Sequence, residues 1–288
     1  MRIAVTHSTV YRYANAVFLE PHTFRLRPRL DGSVRLLDYT LDISPAPAGR
    51  TEFLDQDGNA AVEAWFSEPL EVLTVRSSFQ VETLRENPFD YILSSAGAAS
   101  LPPEYGEPLR AALGPHLAVE GLAGPVREFA GWVNRRAGGQ TAAFLTTLNG
   151  FLYESFGHVI RGEGLPYPPE VTLRTREGTC RDLAVLFCAA CRVAGIAARF
   201  VSGYEREAAT QPQAYMHAWA EAYLPGGGWR GYDPTQGLAV SQSHVAVAAA
   251  ADPSLAAPIT GTYRGAAPAK MEFAIELGVK EKEDFSHG

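Results

Sequence analysis

Alternation of apolar and polar residues is the main pattern in roughly the first 90 residues of the chain. β-Branched and aromatic residues are frequent in these runs, and turn signals such as Asp57-Gly58-Asn59 separate them. A period of two with this composition is typical of strands. The runs are Val5–Tyr13, Phe24–Pro28, Leu37–Ile43, Ala61–Phe66, Leu73–Arg76 and Phe79–Leu84. Short strands at this spacing predict a β-sandwich-like domain over residues 1–90.

A change of composition follows this strand-rich part. Residues 91–122 are rich in Pro, Gly, Ala and Ser, and they include Pro102-Pro103. Such a stretch is typical of a domain boundary. We expect a linker here, with one short helix near Pro108–Leu113.

From residue 123 the apolar period lengthens to that of a helix. A Gly- and Pro-containing loop is expected over residues 158–170. A glycine, Gly195, is expected to end the last of the helices. The predicted helices are Pro125–Val133, Ala142–Phe156 and Cys180–Ala194.

The remaining sequence predicts strands and then irregular chain. Strand-like runs cover Ala197–Tyr204, Ala214–Leu224 and Trp229–Asp233, and a turn at Pro225–Gly228 makes a hairpin of the last two. An alanine-rich, irregular stretch leads to a closing strand at Met271–Leu277 and a charged tail from Lys280, which we expect to fray. The prediction is therefore an α+β protein whose second domain, residues 123–288, contains this strand and tail.

Charge and composition exclude several classes of function. The net charge is -7, and Lys and Arg form no run, so a nucleic-acid partner is not expected. Arg25, Arg27 and Arg29 alternate along a predicted strand, which indicates a solvated face. No apolar run approaches the ~20 residues of a membrane span. Three cysteines and a start without a secretory signal indicate free thiols in the cytoplasm.

Cys180 is the first candidate for chemistry, because Gly178-Thr179-Cys180-Arg181-Asp182 marks the start of a predicted helix. The first turn of a helix presents unpaired N–H groups and a partial positive charge. Both favour the thiolate, which is the nucleophilic form of cysteine. The same N–H groups can stabilise an oxyanion when the thiolate attacks a carbonyl carbon.

A cysteine nucleophile needs a base, and the base needs a group that orients it. His217 and Asp233 lie on the two arms of the predicted hairpin, at similar distances from a turn centred near Gly226. They can therefore be cross-strand neighbours on one face, with Cys180 packed against that face. Each residue alone would more often be structural, but together they satisfy three geometric requirements. We therefore predict a catalytic triad of Cys180, His217 and Asp233.

Nearby residues have simpler interpretations. Cys188 and Cys191 form a C-x-x-C pattern in mid-helix among apolar residues, and further zinc ligands at suitable spacing are not evident, so core packing is expected. Asp182 suits the first helical turn and is expected to be structural. Trp219 shares the strand face with His217, and the sequence leaves open whether it lines the site or belongs to the core. Neither a calcium-type carboxylate cluster nor a nucleotide-binding glycine loop is present, so we expect no metal and no cofactor.

Several short motifs occur together in this chain. They are Gly178–Ala184, Gly195–Tyr204, His217–Glu221 and Gly228–Thr235, with His7-x-Thr9-x-Tyr11-x-Tyr13, Arg25–Pro28 and Asp57-Gly58-Asn59 before them. With these motifs the chain resembles the bacterial transglutaminase-like superfamily, which has a papain-like cysteine-protease core. The resemblance is specific over roughly residues 140–240, and the sequence before residue 90 is similar to the β-rich domain that precedes this core in many members. The resemblance implies that the family's catalytic residues fall on Cys180, His217 and Asp233.

These observations predict a cysteine-nucleophile acyl-transfer enzyme acting on peptide or glutamine-type amide bonds through a thioester. Hydrolysis is slightly favoured over transamidation because bacterial relatives are thought of as proteases. The expected partner is a peptide or protein substrate, and the oligomeric state is left open. The alternative is a binding or scaffold protein that keeps the fold without turnover, against which the intact triad argues.

Overall fold

A computed structural model describes residues 1–162, 164–206 and 214–280. It has a mixed α and β architecture, with strands concentrated at the N-terminus and a helix-and-sheet core after residue 123. The fold class expected from the sequence is therefore confirmed. The charged tail predicted beyond Lys280 lies outside the described residues.

Six strands precede the first helix, and most of them follow the alternation of the sequence. The two runs near Leu73 and Phe79 belong to one continuous strand, and the strand expected at Phe24–Pro28 ends at Phe24. The strands are β1 (Arg2–Leu19), β2 (His22–Phe24), β3 (Val34–Ser44), β4 (Gly49–Leu54), β5 (Ala60–Trp65) and β6 (Leu70–Thr83).

The central part of the chain contains the helices. The last of them begins at Cys180, as predicted, and Gly195 follows it with a φ of 79°. In chain order the elements are α1 (Ala96–Ala99), α2 (Glu107–Ala112), α3 (Gly114–Leu117), α4 (Gly124–Arg136), α5 (Thr141–Ser155), β7 (Gly157–His158), α6 (Pro169–Thr175), β8 (Glu177–Gly178) and α7 (Cys180–Val193).

Strands dominate the rest of the chain, including the stretch after Asp233 that was expected to be irregular. A 3-10 turn, Pro253–Ala256, lies among them. The strands are β9 (Ala198–Glu205), β10 (His217–Leu224), β11 (Gly228–Asp233), β12 (Leu238–Ala239), β13 (His244–Ala250), β14 (Ile259–Thr260), β15 (Tyr263–Arg264) and β16 (Ala269–Lys280).

Two antiparallel sheets form the N-terminal sandwich. In one sheet β1 lies between β6 and the C-terminal strands β15 and β16, with β3 beyond β6; the other has the order β14-β2-β5-β4. Buried residues such as Val17, Phe24 and Leu73 form its core. The closing strand expected in the second domain is thus part of the N-terminal sheet, because β16 pairs with β1 from Arg2↔Lys280 to Tyr13↔Ala269.

The arginines near residue 27 do not form the solvated face expected from their alternation. Arg25 is 8% exposed and its Nε lies 2.9 Å from Asp55 Oδ2. Arg29 donates to Asn59 Oδ1 and to the carbonyl of Asp57. The guanidinium of Arg27 lies over the Tyr39 ring at 5.4 Å. Because β2 ends at Phe24, the segment after it is not held in the sheet. It turns inward, and its arginines contact the acceptor groups and the ring named above.

Helix α7 packs against a five-stranded antiparallel sheet of order β12-β11-β10-β9-β13. Its apolar residues recur at helical spacing, so that Leu183, Leu186 and Phe187 are all at most 1% exposed. They form a core with α4, α5 and residues of β10 and β11. This packing fixes the start of α7 relative to the sheet.

Strand β13 pairs with β9 and contacts the N-terminal sandwich. Asn59 is fully buried, and its side chain exchanges two hydrogen bonds with the main chain of Ala249, at 2.8 and 3.0 Å. A Cβ on Gly203 would lie 2.2 Å from the Val245 carbonyl, so close approach of β9 and β13 requires a glycine there. The alanine-rich composition fits this tight packing, although it gave no strand signal in the sequence.

Within the described parts of the chain, no helix has both the length and the apolar composition needed to cross a membrane.

Candidate active site

Cys180 is the first residue of α7, and a capping box fixes the helix start beneath it. The Asp182 carboxylate accepts hydrogen bonds from the main-chain N–H and the hydroxyl of Thr179, each at 2.8 Å. Asp182 is buried, and it also binds Arg161 through both carboxylate oxygens at 3.0 and 3.1 Å. The structural role expected for Asp182 thus extends to anchoring the loop that precedes α6.

The hairpin of β10 and β11 brings His217 and Asp233 together. The pairing Ala220↔Tyr232 places the turn centre at Gly226, as predicted, and puts Asp233 and His217 on the same face. Gly226 has a φ of 90°, and a Cβ there would lie 2.2 Å from the Ile92 carbonyl, so the turn requires glycine. His217 Nε2 lies 2.7 Å from Asp233 Oδ2.

The thiol of Cys180 interacts with the imidazole rings of His158 and His217. Burial alone would raise the pKa of Cys180, but contacts with His158, His217 and the Ala218 main chain lower it to about 6. Because Asp233 holds Nε2 of His217, the other ring nitrogen is left for the sulfur. The structure therefore places all three residues of the predicted triad in one connected group.

The charges of the group support one another. Burial lowers the pKa of His217, but the Asp233 carboxylate and the Cys180 thiolate raise it well above its usual value. Burial raises the pKa of Asp233, but its bonds to His217 and His244 lower it strongly. A carboxylate, an imidazolium and a thiolate are the forms that this geometry favours at neutral pH.

His158 is a neighbour of Cys180 that the sequence analysis missed. It lies in β7, which pairs in parallel with β8, so that His158 is opposite Gly178. The bond from Val159 N to the Gly178 carbonyl, at 3.0 Å, continues this pairing toward the helix start. A histidine in a loop rich in Gly and Pro has no periodicity to mark it, so the sequence offered no signal.

His244, in β13, was also missed. It is buried, and its Nε2 lies 3.0 Å from Asp233 Oδ2, the same oxygen that binds His217. His217, Asp233 and His244 present nitrogen and oxygen atoms within 4.8 Å of one another. The contacts of 2.7 and 3.0 Å are hydrogen-bond distances, whereas tetrahedral zinc holds its ligands about 3.3 Å apart. The arrangement fits a hydrogen-bonded network better than a metal centre.

Trp219 belongs to the core and also borders the site, so both interpretations left open by the sequence hold. It is 1% exposed, stacks on His217 at 6.3 Å and presents an edge to His244 at 5.0 Å. The indole shields the histidine pair from water on that side.

Cys188 and Cys191 are free and buried in the core, as expected. Burial raises the pKa of Cys188 to about 12 and that of Cys191 well above its usual value. The pKa of Cys180 is thus shifted in the opposite direction to the pKa values of the two core thiols.

Comparison with known proteins identifies the family. Residues 3–82 match the profile of the bacterial transglutaminase-like N-terminal region, and residues 138–234 match that of the transglutaminase-like superfamily. Uncharacterized proteins of Mycobacterium tuberculosis and Mycobacterium bovis are each 30% identical over 283 residues, covering 90% of this chain and 87% of theirs.

A solved structure has the same fold. The crystal structure of a proposed cysteine protease from Cytophaga hutchinsonii superposes with a TM-score of 0.72 at 19% identity, covering 100% of this chain and 94% of that chain. The site is thus built on a transglutaminase-like fold. The chain belongs to the bacterial transglutaminase-like family.

Proposed function

We propose that this protein is a cysteine-nucleophile acyl-transfer enzyme that hydrolyses peptide or glutamine-type amide bonds. The observation that carries the proposal is the connected group at the start of α7. Cys180 contacts His217, and His217 lies 2.7 Å from the buried carboxylate of Asp233. A nucleophile, a base and an orienting carboxylate in hydrogen-bonding reach are the requirements for covalent catalysis.

In the proposed first step the Cys180 thiolate attacks the amide carbonyl carbon and forms a C–S bond. The carbonyl oxygen becomes an oxyanion, which the N–H groups at the start of α7 can stabilise. His158 also interacts with the thiol, and in this proposal its ring N–H donates to the same oxyanion. The C–N bond breaks as the His217 imidazolium protonates the leaving amine.

In the second step a water molecule attacks the thioester while His217 accepts one of its protons. Collapse of the second oxyanion releases a carboxylic acid and regenerates the thiolate–imidazolium pair. Asp233 remains ionised throughout and stabilises the positive charge on His217. A primary amine in place of water would give transamidation, which is the less favoured outcome in this proposal.

We further propose that the enzyme works in the reducing cytoplasm. The support is that its three cysteines are free and that Cys180 must stay reduced to act.

The proposal is tested first with an electrophilic acyl-mimic probe that forms a stable adduct with active thiols. Wild type and the Cys188→Ala control should be labelled equally, and Cys180→Ala should show no adduct. Absence of labelling in folded wild type would favour the scaffold alternative.

The fate of the thioester is tested by incubating the enzyme with a mixture of unfolded proteins in ¹⁸O-labelled water, with and without a primary amine. Hydrolysis places ¹⁸O in new carboxyl groups, whereas transamidation attaches the amine. We expect ¹⁸O incorporation that depends on Cys180. Amine adducts without ¹⁸O would contradict the preference for water.

A further inference from the structure

We propose that His244 is a positioning residue that, as a neutral imidazole, holds the Asp233 carboxylate in the orientation that supports His217. This inference rests on the proposed function, since it assigns the support of that function's histidine. In this proposal His244 takes no direct part in the reaction steps at Cys180. It acts only through Asp233.

The bonds around the Asp233 carboxylate carry the argument. Its Oδ2 lies 2.7 Å from His217 Nε2 and 3.0 Å from His244 Nε2. Its Oδ1 accepts from the main-chain N–H of Thr235 at 2.9 Å and from the Thr235 hydroxyl at 2.6 Å. Thr235 therefore fixes one oxygen, and His244 fixes the other beside His217. Without His244, the bond to His217 alone would have to hold Oδ2 in place.

The tautomer of His244 follows from its two partners. An ionised carboxylate can only accept, so Nε2 of His244 must carry a proton. Its Nδ1 lies 2.8 Å from the Ser243 hydroxyl, which can donate to an unprotonated nitrogen. These two contacts fit a neutral Nε2–H imidazole, which is the form we propose for His244.

Neutrality of His244 matters because one carboxylate serves two imidazoles. A second imidazolium would compete with His217 for the single negative charge of Asp233 and would repel it across 5.9 Å between ring centroids. Among the described residues, titratable groups near His244 include His217 on β10, Asp233 on β11 and Glu205, its register partner on β9. The edge of Trp219 closes another side. As a neutral donor, His244 would fix the Asp233 carboxylate by a hydrogen bond. The negative charge of the carboxylate would then stabilise only the imidazolium of His217.

The first test needs no variant. The ¹⁵N–¹H spectrum of histidine-labelled wild type separates the two tautomers from the doubly protonated ring. At pH 8 the His244 signals, assigned by their loss in a substituted chain, should show a protonated Nε2 and an unprotonated Nδ1. An imidazolium or an Nδ1–H tautomer at His244 would overturn the proposal.

The second test uses His244→Leu and His244→Gln. Gln can place an amide donor near Oδ2, whereas Leu cannot donate. The measurement is the rate of Cys180 alkylation by iodoacetamide from pH 4 to 9. A hydrogen bond to a charged group predicts that Leu shifts the acid limb upward by about one pH unit, which slows alkylation at pH 6 about fivefold. The Gln variant should stay close to wild type.

The outcomes separate this proposal from the proposed function. If wild type itself shows no fast alkylation of Cys180 at pH 6, the proposed function fails. Suppose that wild type reacts as expected, but that the acid limb of the pH–rate profile in a folded Leu variant stays at the wild-type pH or moves to lower pH. The role of His244 is then refuted while the proposed function stands. Should the Leu variant not fold, the tautomer of His244 in wild type decides.

Discussion

Selective alkylation of Cys180 at mildly acidic pH is the most direct consequence of the site. The pKa of Cys180 is lowered to about 6, and burial raises that of Cys188 to about 12. At pH 6 about half of Cys180 and about one part in a million of Cys188 is thiolate. A less basic thiolate is also less nucleophilic, by about 500-fold over this range for a Brønsted slope near 0.45.

The two factors leave Cys180 about a thousandfold faster than Cys188 at pH 6, before access is considered. Access increases the difference, since Cys188 and Cys191 are 4% and 0% exposed and Cys180 is partly exposed. Below pH 6 the rate at Cys180 should fall toward tenfold per pH unit as the thiolate is protonated, and above pH 7 it should level off.

The assay is brief alkylation with iodoacetamide followed by peptide mapping with mass spectrometry. His217→Ala should lower the advantage of Cys180, because the ion pair is lost while the interaction with His158 and the helix start remain. His22→Ala, in the N-terminal sandwich, is the matched control and should leave the ratio unchanged. Equal modification of the three cysteines in folded protein, or faster modification of Cys188, would refute the reasoning.

Three further predictions concern the surrounding groups. Asp233→Asn should lower turnover by about 10⁴-fold, because an amide does not stabilise the His217 imidazolium. The thermal unfolding midpoint should show that the variant is folded. Full activity would show that another group orients the histidine. His158→Phe should lower kcat by about 100-fold with little change in KM if its N–H stabilises the oxyanion, as single-turnover kinetics would show; a change confined to KM would assign it to substrate binding. Asp182→Asn should reduce the free energy of unfolding by about 3 kcal/mol, because it removes the buried charge that binds Arg161 and caps α7. Because the pKa of Asp182 is depressed, this wild-type advantage is full at neutral pH and shrinks as pH falls below 3.8, which denaturant titrations at several pH values would measure.

Local pattern in the sequence was enough for the parts of the site that short-range structure builds. A cysteine at a helix start and a hairpin centred on Gly226 are both decided by nearby residues, and the register Ala220↔Tyr232 follows from that turn. Helical periodicity likewise located α4, α5 and α7 within a few residues. The prediction of Cys180, His217 and Asp233 as one group needed nothing further.

The parts of the structure that come from distant segments were decided by the tertiary fold, because these segments show no hydrophobic periodicity of their own. The strand β13 is alanine-rich because it packs between β9 and the sandwich, and small side chains erase the alternation that marks a strand, so His244 was not recognised. His158 reaches the thiol through pairing of two residues with β8, which is too short to leave a pattern. Strand β16 joins β1 across almost the whole length of the chain. A sequence period reports which face of an element is buried, but the partner that buries it is selected by packing free energy summed over the whole fold.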